Sequence, residues 1–137
     1  MIVLVVDSSV QIIERLQHLL LETGQIKTVF GAVSFKDATR FLRKNRTDVV
    51  LLDGALPGSM SFDLLTEIKT SSPKTAVIIM VNRDDQQLKA KYKLLGADLV
   101  FDKYHEFEEI SYLIDTLISK KKISSGNEKP KPYTEFA

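Results

Sequence analysis

The sequence predicts an α/β fold: a five-stranded parallel sheet with helices on both faces. Three observations carry that expectation. Five short apolar stretches recur at residues 2–6, 27–32, 49–52, 76–81 and 99–101, most of them β-branched and nearly continuous, as strands buried on both faces are. The segments between them carry apolar residues at helical spacing. The resulting order is β-α repeated five times, which implies right-handed crossovers and a layer of helices on each side.

The first strand ends abruptly at Asp7, within LVVDSSV. Ser9, or Ser8, then suits an N-cap, and Ile13, Leu16 and Leu20 form the apolar stripe of a first helix. Glu14, Arg15, Gln17 and His18 lie elsewhere on it, and Gly24 is its expected stop. Ser34, with Asp37 three residues on, has the pattern of a capping box. The helix it opens carries Phe35, Ala38, Phe41 and Leu42. A third helix is predicted over 62–70, stopping before Pro73. A fourth carries Leu88, Tyr92 and Leu95 before Gly96, and a fifth Phe107, Ile110, Ile114 and Leu117. These stripes are read as core. From Ser124 the chain reads SSGNEKPKPYTEFA, so 123–137 is expected to be a polar tail or linker and 1–122 a single domain.

Composition narrows the function classes. With 137 residues, 44% of them hydrophobic, the chain can bury a core without staples. It has no cysteine, which excludes disulfides and thiolate metal sites. Nineteen basic residues against 18 acidic ones leave a net charge of +1, so bulk charge does not argue for nucleic acid or membrane. The apolar runs are too short to cross a bilayer, and no basic n-region opens the chain. A soluble, cytoplasmic protein is expected.

In parallel sheets, sites form beyond the carboxyl ends of the strands. The strand-ending residues are Asp7, Asp53, Asn82 and Lys103. Two carboxylates suit a hard cation such as Mg²⁺, which takes oxygen ligands and keeps several waters. A carboxylate can also attack phosphorus to give an acyl phosphate, and a lysine neutralises phosphoryl oxygens. Metal, acceptor and cation together are what phosphoryl transfer requires. Blander readings stand beside this one. Asp7-Ser8-Ser9 serves as a helix cap, Asp53 as a strand-end acid, and Lys103 as a surface lysine or a resting ion pair with Asp53. His18 and His105 lack metal-ligand spacing, and Lys120, Lys121 and Lys122 suit a helix C-terminus. No phosphate-binding glycine motif is present.

LVVD, LLDGALPG and GADLVFDK, in that order, resemble the receiver domain of bacterial two-component response regulators across about residues 1–122. The resemblance implies a flavodoxin-like (βα)5 three-layer sandwich with strand order 2-1-3-4-5. It implies that Asp53 takes a phosphoryl group from a phosphohistidine of a sensor histidine kinase or phosphotransfer protein. Asp7, Asp53 and the backbone carbonyl of Ala55 would hold Mg²⁺, Pro57 would shape the loop, and Lys103 would contact the phosphoryl group. The last two helices would then change affinity for a downstream protein, or for a second copy of the chain. Such a module is not itself an enzyme, and contacts neither nucleic acid nor membrane directly.

Five positions depart from the family pattern. Ser8 replaces a second metal-binding acid, Asn82 a Thr or Ser that bonds the phosphoryl group, and Val100 an aromatic switch residue. Tyr104 replaces a proline, and Ser61 a glycine. A carboxylate about 4 Å from a cation contributes roughly 4 kcal/mol at an effective dielectric of 20. Serine returns only part of that, so Mg²⁺ is expected to bind weakly. Asn82 can donate an amide N–H to a phosphoryl oxygen. A cis bond at Lys103–Tyr104 would cost about 2.5–4 kcal/mol, so a trans bond and a shifted loop are expected. Two other readings remain open: a pseudo-receiver that binds partners without phosphorylation, and an enzyme or small-ligand protein on the same fold.

Overall fold

The computed structural model describes residues 1–103 and, in a further helical stretch, residues 110, 112, 114–116 and 119. Nine elements alternate in the first part: β1 (Ile2–Val6), α1 (Val10–Glu22), β2 (Thr28–Ala32), α2 (Phe35–Lys44), β3 (Val49–Asp53), α3 (Met60–Ser71), β4 (Ala76–Val81), α4 (Gln86–Leu94) and β5 (Leu99–Asp102). All five strands are parallel, in the order β2-β1-β3-β4-β5. This is the predicted flavodoxin-like sheet. His105, Phe107, Leu117, the Lys120–122 run, the tail 123–137 and the Lys103–Tyr104 bond lie outside the described residues.

The helices start where local chemistry tells them to. Ser9 Oγ accepts the Ile12 N–H at 3.3 Å, and Ser34 Oγ accepts that of Asp37 at 3.1 Å. Asp85 caps α4 by accepting the Leu88 N–H at 3.1 Å. Each cap satisfies one of the amide donors a helix start leaves unpaired. Gly24 and Gly96, with φ of 73° and 106°, end α1 and α4 in a conformation that side chains with a Cβ avoid.

Because strand side chains alternate between faces, the sheet splits the interior into two cores. One contains Val3, Val5, Leu51, Ile78, Met80 and Phe101 under Ile13, Leu16 and Leu20 of α1, with Ile110 and Ile114. The other contains Leu4, Val6, Leu52, Ile79 and Val81 under Ala38, Leu64, Leu65, Ile68 and Tyr92. Burying each such aliphatic side chain stabilises the fold by roughly 1.5–3 kcal/mol. Two expectations need correcting. β2 is an edge strand, not one buried on both faces: Phe30 is 42% exposed. Leu95 is not core either, because it caps α4 at the surface, 37% exposed, while Tyr92 fills the core position.

Registry assembles the site. Val6 pairs with Leu52, so Asp7 and Asp53 leave adjacent strands side by side. Val81 pairs with Asp102, so Asn82 and Lys103 follow at the same sheet edge.

Candidate functional site

Lys103 is the hub of that edge. Its Nζ lies 2.6 Å from Asp7 Oδ2 and 3.1 Å from Asp53 Oδ1. All three groups are buried: Asp7 is 2% exposed, Asp53 3% and Lys103 8%. Two carboxylates share one ammonium, so the trio carries a net negative charge inside the protein. Buried charges persist only when paired and hydrogen-bonded, and the rest of the bonding supplies this. Asp7 Oδ1 accepts the Ser9 N–H at 2.9 Å, and Asp53 Oδ1 accepts the Ala55 N–H at 2.9 Å. The Lys103 backbone N–H donates to the Val81 carbonyl at 2.9 Å.

The stretch LVVDSSV divides its roles among three residues. Ser9 is the helix cap. Asp7 orders the turn into that cap with one oxygen and faces Lys103 with the other. Ser8 is exposed. Of the residues singled out in the sequence, the structure gathers Asp7, Asp53 and Lys103. Asn82 is exposed beyond β4, and among the described residues it makes none of the hydrogen bonds of the trio. Val100 is half-buried in β5, packed against the second core.

The loop from Gly54 to Ser59 is fixed from below. Gly54 N–H donates to the Met80 carbonyl at 2.7 Å. Ser61, buried at the start of α3, donates its hydroxyl to the Asp53 carbonyl at 2.7 Å and accepts the Leu56 N–H at 3.2 Å. A glycine there could make neither bond. Pro57 is exposed in the loop; its carbonyl accepts the Met60 N–H at 3.3 Å, and Gly58 turns with φ of 61°. From α4, the Tyr92 hydroxyl donates to the Gly54 carbonyl at 2.9 Å. Burial pushes the Tyr92 phenol above its usual value, a hydrogen bond with Ser61 works against this, and the Asp53 charge adds to the rise.

Sequence reasoning used Tyr92 only as a core residue and Ser61 only as a departure. The signal for Tyr92 was its type: a tyrosine on the buried face of a helix brings a hydroxyl that must find a partner. Asp102 is buried next to Lys103 in the chain.

For a cation, the trio offers two carboxylates, and the Ala55 carbonyl lies nearby in sequence. Among the described residues no group of three or more His, Cys, Asp or Glu side chains is arranged to hold a metal ion. This donor set fits Mg²⁺, which is held by one or two carboxylates and completes its shell with water or phosphate oxygens. It does not provide an all-protein cage. Among the described residues no helix is long and apolar enough to cross a membrane.

Comparison with known proteins identifies relatives of the chain and of its fold. The family profile described as "Response regulator receiver domain" matches residues 3–115. Response regulator UvrY of Escherichia coli strain K12 is 30% identical over 95 residues, 69% of this chain and 44% of UvrY. The protein-glutamate methylesterase/protein-glutamine glutaminase 2 of Paramagnetospirillum magneticum is 27% identical over 95 residues, which is 27% of its length. The chain thus spans less than half of these curated relatives. Among solved structures, a response regulator receiver domain protein from Clostridium thermocellum superposes with a TM-score of 0.77 at 29% identity, covering 88% of this chain and 96% of that one. A Francisella response regulator receiver domain gives 0.78 at 24% identity, covering 88% and 98%. With its fold, its charged trio and a profile match across most of its length, the chain belongs to the response regulator receiver domain family.

Proposed function

We propose that this receiver domain accepts a phosphoryl group on Asp53 from a phosphohistidine of a sensor histidine kinase or phosphotransfer protein. The observation that carries this reading is the sharing of Lys103 between Asp7 and Asp53 at the carboxyl edge of the sheet. In the transfer, an Asp53 oxygen forms a bond to phosphorus while the phosphorus–nitrogen bond of the phosphohistidine breaks. The electron pair stays on the imidazole nitrogen. Lys103 and Ala55 N–H both engage Oδ1, and neither of these bonds engages Oδ2, the oxygen that then attacks. Lys103 exchanges part of its contact with Asp53 for the incoming phosphoryl oxygens, while Asp7 keeps the ammonium in position.

Asp7, Asp53 and the Ala55 carbonyl would hold Mg²⁺, with Ser8 as a neutral neighbour. When bound, the cation supplies charge neutralisation on the phosphoryl oxygens. Asn82 would donate to a phosphoryl oxygen, and Val100 occupies the switch position without a polar group. The domain signals and does not itself catalyse turnover of a small substrate. Its surface at α4 and the following helix, where Leu94 is 88% and Tyr112 70% exposed, would meet the downstream protein or a second copy of the chain. The cytoplasm is the compartment this reading requires.

The test is incubation of the chain with Mg²⁺ and acetyl phosphate, followed by mass spectrometry. One added phosphoryl group that maps to Asp53 and is lost in Asp53→Asn is the expected result. No modification at millimolar metal overturns the reading and leaves a module that binds its partners unphosphorylated.

A further inference from the structure

Asn82 and Val100 remove the hydroxyl and the aromatic ring through which the resemblance would connect the acceptor to the rest of the molecule. The structure contains another connection. Ala55 N–H donates to Asp53 Oδ1 at 2.9 Å, and the Gly54 carbonyl accepts from the Tyr92 hydroxyl at 2.9 Å. That N–H and that carbonyl belong to one peptide unit, the one between Gly54 and Ala55. A peptide unit is planar and stiff, so it cannot turn at one end alone. The acceptor carboxylate holds one end of this plate and α4 holds the other.

The surroundings leave the plate little freedom. A Cβ on Gly54 would lie 3.1 Å from the Met80 carbonyl oxygen, 3.2 Å from Tyr92 Oη and 3.3 Å from Ile79 Cγ2. A side chain there would make these neighbours give by a few tenths of an ångström. Tyr92 is fully buried, and its ring stacks on Phe62 of α3 with centroids 4.6 Å apart and planes at 18°. Lys91 Nζ lies 4.2 Å from the Phe62 centroid. The tyrosine thus has a rigid seat on α4, and its hydroxyl is directed at the loop.

We infer that Tyr92 is the positioning residue that couples Asp53 to α4, through the Gly54–Ala55 peptide unit. When Asp53 loses its carboxylate charge, Oδ1 becomes a weaker acceptor and its bond to the Ala55 N–H relaxes. With little room to turn by itself, the plate passes its displacement to the Gly54 carbonyl and, through the Tyr92 hydroxyl, to α4. As an account of signalling this rests on Asp53 being the phosphoacceptor. The coupling itself needs only a change of charge at Asp53.

The experiment therefore uses a change that requires no phosphodonor. Amide resonances of the full chain are compared for Asp53→Asn, once with Tyr92 and once with Tyr92→Phe, which keeps the ring and its stack. With Tyr92, Asp53→Asn displaces resonances along Gln86–Leu94; in the Tyr92→Phe background the displacement falls at least threefold. Equal displacement in both backgrounds, or none in the Tyr92 chain, overturns the coupling. Should Tyr92→Phe not fold, 3-fluorotyrosine at position 92 provides the readout with the hydroxyl intact. Its fluorine resonance moves on Asp53→Asn, and a static resonance overturns the coupling. A separate arm adds Mg²⁺ and fluoroberyllate to the Tyr92 chain. No response around Asp53 in that arm counts against the phosphoacceptor reading alone.

Discussion

The two acids of the pocket are held in different ways. At the end of β3, Asp53 sits in a frame of interior bonds. Ser61 grips its carbonyl at 2.7 Å, Met80 holds the next amide at 2.7 Å, and Tyr92 holds the next carbonyl at 2.9 Å. At the end of β1, the Asp7 backbone N–H donates to the Ala32 carbonyl at 3.1 Å, its carboxylate accepts the Ser9 N–H, and the residue after it is an exposed serine. The Asp53 end is fixed by bonds from three other elements, α3, β4 and α4. The Asp7 end is an ordinary helix entry whose acid depends on Lys103. Departures from the family pattern fall at both ends: Ser61 takes part in the frame around Asp53, and Ser8 stands exposed beside Asp7.

Removing the lysine is the strongest way to break that comparison. Lys103→Met leaves two buried carboxylates with no cation between them. Taking one partner from a buried ion pair costs about 3–5 kcal/mol, and urea denaturation is expected to show a loss of that size. Amide exchange distinguishes the two ends: protection falls most around Asp7–Ser9, while Gly54–Leu56 retains its frame. Equal loss at both ends would mean that the interior bonds around Asp53 do not hold it independently.

Much of this pocket was legible in the sequence. Asp7 and Asp53 each end an apolar run and Lys103 follows one, with Asp102 between; the strand order implied by the family resemblance then brings the three to one sheet edge. The caps at Ser9 and Ser34 are local, since donor and acceptor lie three residues apart. The frame around Asp53 was not legible. Tyr92 and Gly54 are 38 residues apart, and a hydrophobic stripe gives no indication of where its one hydroxyl is directed. The exposure of Phe30 is not visible in the run itself, because Val29 and Phe30 read like any buried strand, and it follows only from the place of β2 at the edge in the order 2-1-3-4-5. Leu95 fits the helical period, but the helix ends one residue before it.

A second change sharpens the comparison at its weaker end. Ser8 is exposed beside Asp7, so an acid there adds charge to the pocket without burying it. Ser8→Asp is expected to tighten Mg²⁺ binding by about tenfold, roughly 1.4 kcal/mol, well below the full Coulomb energy because solvent screens the new group. Titration calorimetry with Mg²⁺ measures it. Superimposable titrations of wild type and variant would mean that position 8 does not reach the metal, and the missing-acid account would fail.

The smallest effect is the one that isolates the stronger end. The Tyr92 phenol is pushed above its ordinary value chiefly by burial; a hydrogen bond with Ser61 offsets part of this, and the Asp53 charge adds to it. In the unfolded chain a tyrosine releases its proton near its ordinary value, about 10. As pH rises past that point the unfolded state therefore binds fewer protons than the folded one, and stability falls with pH. Tyr92's contribution is complete below about pH 10 and is lost as pH climbs through the folded value. Every other ionisable group is common to wild type and Tyr92→Phe. The difference between the two chains carries the Tyr92 signal alone. Below about pH 9 wild type is expected to be more stable by about 1 kcal/mol, the net worth of one hydrogen bond. That margin should shrink steadily at higher pH in urea titrations. A margin constant across the alkaline range would mean that the phenol is not held protonated against the Gly54 carbonyl, and the frame around Asp53 would lose its anchor on α4.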